Sequence, residues 1–261
     1  MIYNFDLTGK TILLTGGYGY LGRAIAESLH YHGANLYVLG RTRAKFDNAF
    51  SEYDSGGERL YFQECDISDS TSIAKAFSHV AEKEGTLDVL INNAFYLEGQ
   101  DPLTMTDHEW QRGIDGTLNS VFRCIREGVP YLEKSSSPRI INVSSMYGVV
   151  APDFNVYEEF KEMLNPPHYG AAKAGVVQIS KYYASYLGKR NITVNTVTPG
   201  PFPPPSVQEK EKFIQLLSEK TLLKRIGKPE DLAGVFVFLS SEASGYITGQ
   251  NFIVDGGWTV S

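Results

Sequence analysis

Two side chains in the second half of the sequence have the types and the spacing of an acid–base pair. Tyr169 and Lys173 lie four residues apart, so in a helix the phenol and the ammonium share one face. The cation stabilises a phenolate and lowers the pKa of a phenol from its ordinary value of about 10. Acid–base chemistry at neutral pH requires a larger lowering of the phenol pKa than one lysine in water can give. A buried site that holds a second cation, such as an oxidised nicotinamide ring, can give the additional lowering.

The same pair has a simpler interpretation as a solvated helix face, because most tyrosines and lysines lie at protein surfaces. The sequence also repeats the pattern twelve positions earlier, at Tyr157 and Lys161. The elements that surround each copy must therefore decide which of the two is functional.

Composition indicates a globular α/β chain. The sequence has 261 residues, 42% of them hydrophobic and 21% charged, a size that allows a large core. The net charge of −6 and the lack of a basic tract predict no nucleic-acid partner. No apolar run approaches the ~20 residues of a membrane span, and residues 1–6 lack a signal-peptide pattern. With two cysteines and no disulfide framework, we expect a cytoplasmic protein without a metal site.

The N-terminal segment has the pattern of a dinucleotide site. An apolar run at 11–14 predicts a buried strand, and the glycine-rich run 15–22 follows it directly. Helical periodicity then covers 23–29, and a second strand is predicted at 35–39. Glycines at this position let the backbone approach a pyrophosphate at a helix N-terminus. The alternative is a tight turn that binds no ligand.

The end of the second predicted strand favours NADP(H) over NAD(H). A dinucleotide site usually has an acidic residue about 20 positions after the first glycine, where it binds the ribose 2′-hydroxyl. This sequence has Arg41 and Arg43 instead. Guanidinium groups suit a 2′-phosphate, which a carboxylate would repel. NAD(H) stays an alternative, because both arginines could be ordinary surface charges at a helix start.

Strands and helices alternate through the rest of the sequence. This alternation predicts a doubly wound parallel sheet with ligands at the carboxyl ends of the strands. Asp66 and Asn93 fall at such ends, although each could also be a plain turn residue. The further predicted strands are 60–65, 87–91, 139–143 and 252–254, and the further predicted helices are 70–84, 110–127, 176–187 and 208–219.

In this context the sequence resembles the short-chain dehydrogenase/reductase family over nearly its whole length. Tyr169, not Tyr157, matches the family, because the segment 169–175 and its distance to 192–200 fit the family pattern. The resemblance implies a single Rossmann-like domain over residues 1–261, with about seven parallel strands and helices on both faces. It also implies a homo-oligomer, a tetramer or a dimer. The matching segments are, in the family's order, 15–22, Asp66, 92–94, Ser145, Tyr169 with Lys173, Pro199-Gly200 and 255–257.

The resemblance also implies a role for each site residue. Tyr169 would exchange the proton of the substrate oxygen, Lys173 would lower its pKa and bind the nicotinamide ribose, and Ser145 would hold the carbonyl oxygen. Thr117 stands where the family has a relay asparagine. The residues expected to bind the cofactor are Gly16, Gly19, Tyr20, Leu21, Gly22, Arg41, Asp66, Ile67, Asn93, Pro199 and Phe202, together with Tyr169 and Lys173.

Several positions depart from the family pattern. The spacing of the glycine turn is similar to that of the family's longer, sugar-nucleotide branch, and Phe95 and Pro204 stand where a glycine and a threonine are usual. Residues 152–168 contain an insertion of roughly ten residues that should border the substrate pocket. Residues 201–222 should form a substrate lid, with a rigid surface loop as the alternative.

These features predict an NADP(H)-dependent carbonyl reductase or alcohol dehydrogenase with a small-molecule substrate. The insertion resembles that of oxidoreductases from bacterial surface-sugar and flagellin-glycan pathways, which predicts a sugar-like substrate. The alternative is a non-catalytic nucleotide sensor or scaffold on the same fold. The complete set of Ser145, Tyr169 and Lys173 argues against it, because a scaffold has no physical need for all three.

Overall fold

Seven parallel strands form one sheet in the computed structural model, which describes residues 5–53 and 59–261. The strand order is β3-β2-β1-β4-β5-β6-β7, so the chain reverses its direction of winding between β1 and β4. This is the predicted doubly wound sheet. Residues 1–4, part of the segment in which no signal peptide is predicted, lie outside the described residues. The strands are β1 Thr11–Thr15, β2 Asn35–Gly40, β3 Leu60–Glu64, β4 Val89–Asn92, β5 Arg139–Val143, β6 Thr193–Pro199 and β7 Asn251–Val254.

Helices cover both faces of the sheet, as predicted. On one face α1 packs beside α10, and on the other α3 packs beside α5. All residues of β1, β4, β5 and β6 are buried, as strands covered on both faces require. The helices are α1 Tyr20–Tyr31, α2 Arg43–Ala49, α3 Ser70–Glu84, α4 Asp107–Ile114, α5 Ser120–Leu132, α6 Phe154–Tyr157, α7 Pro167–Leu187, α8 Pro205–Gln208, α9 Glu211–Lys220 and α10 Pro229–Ser240.

The helix predicted over 110–127 is in fact two helices joined by a π-helical turn at Asp115–Asn119. A close approach explains the difference, because a Cβ atom on Gly116 would lie 2.2 Å from the carbonyl oxygen of Tyr96. The Ser120 hydroxyl also donates to the carbonyl oxygen of Gly116, at 2.9 Å. The helix predicted over 110–127 is therefore confirmed, but it contains an unpredicted π-helical turn, and single π-helical turns are frequent near functional sites.

Other predicted boundaries move by a few residues. The strand predicted over 87–91 begins at Val89, and the first helix begins at Tyr20, directly after the glycine turn. The helix predicted over 208–219 is split into α8 and α9. Across the described ranges, none of the helices combines the length and the apolar character that a membrane span requires.

A third group of buried side chains lies between the insertion 152–168 and helix α9. The ring centroids of Tyr157 and Phe160 lie 5.7 and 5.1 Å from that of Phe213 on α9. Outside this aromatic contact, Glu159 pairs with Lys212 at 2.5 Å, and further ion pairs join Glu162 to Lys210 and Asp153 to Lys220. The insertion and α9 therefore form one continuous wall.

Candidate active site

A cavity of about 810 Å³ opens at the carboxyl ends of the strands. One end is lined by the glycine turn after β1 and by the residues that follow β2 and β3. The other end is lined by residues that follow β5, by the insertion 152–168 and by the lid 201–222. Both the insertion and the lid thus border the cavity, at the edge of the sheet where a doubly wound fold places its ligands.

Tyr169 and Ser145 face one another in this cavity. Tyr169 lies in the first turn of α7, and Ser145 lies two residues beyond the end of β5. Burial raises the pKa of the Tyr169 phenol above its ordinary value, and the side-chain hydrogen bond with Ser145 lowers it in part. At neutral pH the phenol is therefore protonated and can donate a proton.

Lys173 is held between α7 and the end of β5. Its side chain is buried, and Nζ donates to the carbonyl oxygen of Val143 at 2.8 Å. Nζ also lies 5.0 Å from the ring centroid of Phe95 and 5.7 Å from that of Tyr169. Burial lowers the pKa of Lys173 to about 7. The hydroxyl of Ser144 donates to the backbone carbonyl of Lys173 at 2.8 Å, which fixes the helix against the strand.

The expectation that Lys173, together with an oxidised nicotinamide, lowers the pKa of Tyr169 stays a prediction. In this chain the pKa of Tyr169 is raised, because burial penalises the phenolate. The same burial disfavours the charged form of Lys173, so the lysine is a weaker source of positive charge than an exposed one.

The second copy of the tyrosine–lysine pattern has a different environment. Tyr157 ends helix α6 and is hydrogen-bonded to the hydroxyl of Tyr147, while Lys161 lies exposed in the next turn. The structure therefore brings together Tyr169, Ser145 and Lys173, and it places Tyr157 in the cavity wall beside them.

Glycines at two positions allow the turn after β1 to fold tightly. Gly16 has a φ of +66°, and a Cβ atom on Gly22 would lie 2.2 Å from the carbonyl oxygen of Gly16. Helix α1 begins at Tyr20, after Gly19, and has no side-chain cap, so its N-terminal N–H groups are open to an anion. Gly16, Gly19, Tyr20, Leu21 and Gly22 all line the cavity. This backbone cradle fits the diphosphate of a nicotinamide dinucleotide.

Asn93 supports this turn from β4. Its side-chain amide donates to the carbonyl oxygens of Thr15 at 3.0 Å and Gly16 at 3.2 Å. The amide group of Asn93 is thus engaged in holding the turn, and the residue also lines the cavity.

Arg41 and Arg43 have different environments. Arg41 is exposed at the cavity rim, and within the described ranges its guanidinium forms no ion pair. Arg43 pairs with Asp47 at 2.8 Å and lies over the rings of Phe46 and Phe62. A 2′-phosphate contact stays a prediction for both arginines, and Arg41 is the better placed of the two because it lines the cavity.

Tyr18 is a cavity residue that sequence reasoning missed. Its ring fills the space beside Gly40, where an added Cβ atom would lie 2.3 Å from it. Its hydroxyl accepts a hydrogen bond from the backbone N–H of Arg41 at 3.1 Å. The small residue at the end of β2 was the available signal, because only glycine leaves room for such a ring.

Asp66 and Ile67 line the cavity after β3. Burial by itself would raise the pKa of Asp66, but the hydrogen bonds from the backbone and side chain of Ser68 outweigh it. The charges of Arg41 and Arg112 add to this effect, and the pKa of Asp66 is lowered. The carboxylate is therefore ionised at neutral pH.

Thr117 does not line the cavity, in contrast to the other expected site residues. It lies in the π-helical turn with only 1% of its surface exposed. Its hydroxyl has no hydrogen-bond partner in the described part of the chain. The turn is packed against α7, and the relay role that the resemblance implies for Thr117 stays a prediction.

The remaining expected contacts come from the end of β6 and from the segment that follows it. Pro199 and Phe202 line the cavity, as does Pro204. Gly227 allows the ring of Phe202 to approach, because an added Cβ atom would lie 2.4 Å from it. Phe95, which replaces the usual glycine, stacks against Tyr169 with 5.7 Å between ring centroids.

Comparisons with known proteins agree with this fold. A protein-family model described as Enoyl-(Acyl carrier protein) reductase matches residues 20–259. The 3-oxoacyl-(acyl-carrier-protein) reductase FabG of Thermotoga maritima is 31% identical over 257 residues, which cover 97% of this chain and 99% of that protein.

Solved structures are also similar to this chain over nearly its whole length. A short-chain type dehydrogenase/reductase from Mycobacterium marinum is 28% identical and superposes with a TM-score of 0.87 over 99% of this chain and 98% of that one. Pseudomonas aeruginosa RhlG, solved as an active-site complex with NADP, is 26% identical with a TM-score of 0.88 over 100% of both chains. The chain belongs to the short-chain dehydrogenase/reductase family of oxidoreductases.

Proposed function

We propose that this protein is an NADP(H)-dependent oxidoreductase that interconverts a carbonyl group and a secondary alcohol. The observation that carries the proposal is the placement of Tyr169 beside Ser145 and Lys173, in the same cavity as the uncapped glycine turn. A nicotinamide cofactor, when bound, supplies or accepts the hydride. The chain's own residues bind the reactants and move the proton.

In the proposed reaction Tyr169 is the general acid. Its phenol stays protonated at neutral pH, because burial raises its pKa, and it can therefore donate to a carbonyl oxygen. The Ser145 hydroxyl holds the same oxygen and stabilises the negative charge that develops on it. These protonation states favour reduction of a ketone over oxidation of an alcohol at neutral pH.

The preference for NADP(H) over NAD(H) rests on Arg41. Its guanidinium is exposed at the cavity rim and forms no ion pair within 5–53 and 59–261, so it is available to a 2′-phosphate. The complex of the similar RhlG with NADP supports this preference.

The walls near Tyr169 favour a substrate with a substantial apolar part. They are made largely of aromatic and aliphatic side chains, with hydroxyl groups as the main polar feature. The sugar-like substrate expected from the insertion stays a prediction, and a heavily hydroxylated sugar fits these walls less well than a compact ketone. The apolar lining residues at this end are Phe95, Met146, Met163, Val207, Phe213 and Leu217.

We also propose a homo-oligomer, a dimer or a tetramer, built from one domain. Exposed aromatic side chains on α4, α5 and α7 support an interface there, with Trp110 41%, Phe122 40% and Tyr182 62% exposed. The free cysteines Cys65 and Cys124 support a reducing compartment such as the cytoplasm.

A substrate screen tests the proposal. The purified protein is mixed with NADPH or NADH and a panel of ketones and keto sugars, and oxidation of the cofactor is followed by its absorbance. We expect turnover with at least one ketone and faster turnover with NADPH. Tight cofactor binding without turnover across the panel would contradict the proposal and favour the non-catalytic sensor.

A further inference from the structure

Two tyrosine hydroxyls form an isolated polar spot in the apolar end of the cavity. Tyr147 lies in the 3₁₀ turn after Ser145, and Tyr157 comes from the insertion. The two hydroxyls are hydrogen-bonded to one another, and both residues line the cavity although only 7% and 5% of their surfaces are exposed.

This pair retains hydrogen-bonding capacity that the protein does not use. Each phenol carries one O–H donor and can also accept, and one O–H is sufficient for the bond between them. Throughout the described residues, neither hydroxyl has another hydrogen-bond partner. One O–H donor of the pair is therefore left for a ligand in the cavity that both residues line, and a buried donor without an acceptor is costly.

The surroundings keep both phenols neutral and fixed. Burial raises the pKa of Tyr147 and of Tyr157, so they act as hydrogen-bond donors and not as bases. The ring of Tyr157 packs against Phe213 of α9, and Met146 and Leu217 belong to the same buried group. A ligand atom beside the pair therefore meets a fixed hydrogen-bonding group that is flanked by apolar side chains.

The charges of the cavity lie elsewhere. Of the charged side chains among the described lining residues, Arg41, Asp66 and Arg112 influence one another at the nucleotide end. At the other end Lys173 is the single charged group, and it is engaged by Val143. Because burial disfavours the charged form of Lys173, this end is a poor site for a carboxylate or a phosphate of the substrate.

We propose that Tyr147 and Tyr157 bind a second, uncharged oxygen of the substrate, close to the carbonyl group that is reduced. The substrate class is thus a neutral ketone that carries a carbonyl or ester oxygen beside the reacting carbon and an apolar remainder. The inference rests on the proposed reductase function and adds to it the residues that select the substrate.

The test compares tyrosine-to-phenylalanine variants on matched ketones. Ethyl pyruvate and ethyl acetoacetate place a second oxygen one and two carbons from the reacting carbon, and methyl pentyl ketone has no second oxygen. The measured quantity is the ratio of kcat/KM for each ester to that for the ketone, because the esters differ in intrinsic reactivity. Tyr147→Phe, Tyr157→Phe and the double variant are compared with wild type. Tyr31→Phe, at an exposed tyrosine at the end of α1 that neither lines the cavity nor belongs to the proposed interface, is the matched control.

We expect the ratio for at least one ester to fall about 5- to 10-fold in the single variants and further in the double variant, as the loss of a hydrogen bond predicts. Unchanged ratios for both esters would overturn the assignment while leaving the reductase function intact. Absence of turnover with every ketone would instead contradict the reductase function. In that case calorimetry of ethyl acetoacetate binding to the NADP⁺-loaded protein still tests whether Tyr147 and Tyr157 bind the second oxygen. Equal affinity in wild type and double variant would also overturn the assignment.

Discussion

Replacing Lys173 by methionine should make the protein more stable at neutral pH while abolishing its activity. The buried amine has a pKa of about 7, compared with an ordinary value of 10.5. This difference corresponds to at most about 5 kcal/mol in the cost of charging the lysine inside the folded chain. Methionine removes that cost but leaves the carbonyl oxygen of Val143 without its donor, a loss of about 1 to 3 kcal/mol. We therefore expect Lys173→Met to raise the free energy of unfolding at pH 7 by about 2 to 4 kcal/mol.

The pH dependence of this gain has a definite sign. Because the pKa of Lys173 is lower in the folded than in the unfolded chain, the unfolded chain binds more protons between about pH 7 and pH 10.5. The free energy of unfolding of the wild-type protein should therefore increase as pH rises through that window. The advantage of Lys173→Met should shrink accordingly.

Urea unfolding followed by circular dichroism at pH 7, 8 and 9.5 measures both quantities. A variant that is less stable than wild type at pH 7 would refute the reasoning. A stability difference that stays constant across the window would refute it as well, because the charged form of Lys173 would then carry no burial cost.

Two further predictions concern the cofactor site. Arg41→Ala should weaken NADPH binding about 10- to 100-fold more than NADH binding, as loss of a charge-assisted contact implies, whereas Arg43→Ala should not. Fluorescence titration measures the affinity for both cofactors. Equal effects of Arg41→Ala on the two cofactors would contradict the 2′-phosphate contact. Gly22→Ala should cost about 1 to 3 kcal/mol of folding stability, because the new Cβ atom would meet the carbonyl oxygen of Gly16. Gly234→Ala, with open space around its Cβ position, should be neutral or stabilising in the same urea assay, and similar losses in both variants would contradict the steric argument.

The sheet could be predicted from the sequence because its strands are continuous apolar runs separated by turn residues and helical periodicity. The run 11–14 and the strand Arg139–Val143 are buried along their whole length, as such runs require. The π-helical turn at Asp115–Asn119 was not predictable from periodicity, since it depends on the approach of Tyr96 from a distant segment.

Some residues of the candidate site could be predicted from the sequence, and others could not. Tyr169, Lys173 and Ser145 could be selected by spacing and by their neighbours in the sequence, because helix α7 and strand β5 fix their positions. The roles of Tyr18 and Tyr147 could not, since each depends on a contact with a residue from another segment. The pKa values of the site could not be predicted either, because the sequence shows only that a lysine lies near a phenol and could lower its pKa. Burial, which the sequence does not display, instead raises the pKa of Tyr169 and lowers that of Lys173.

The most direct test of the account is the reduction rate of Tyr169→Phe under saturating NADPH, with the best ketone found in the substrate screen. Loss of the general acid predicts a fall in kcat of about 100- to 10,000-fold, with NADPH affinity unchanged and with Tyr31→Phe as an active control. A Tyr169→Phe variant that reduces the ketone at close to the wild-type rate would contradict the proposed role of this phenol.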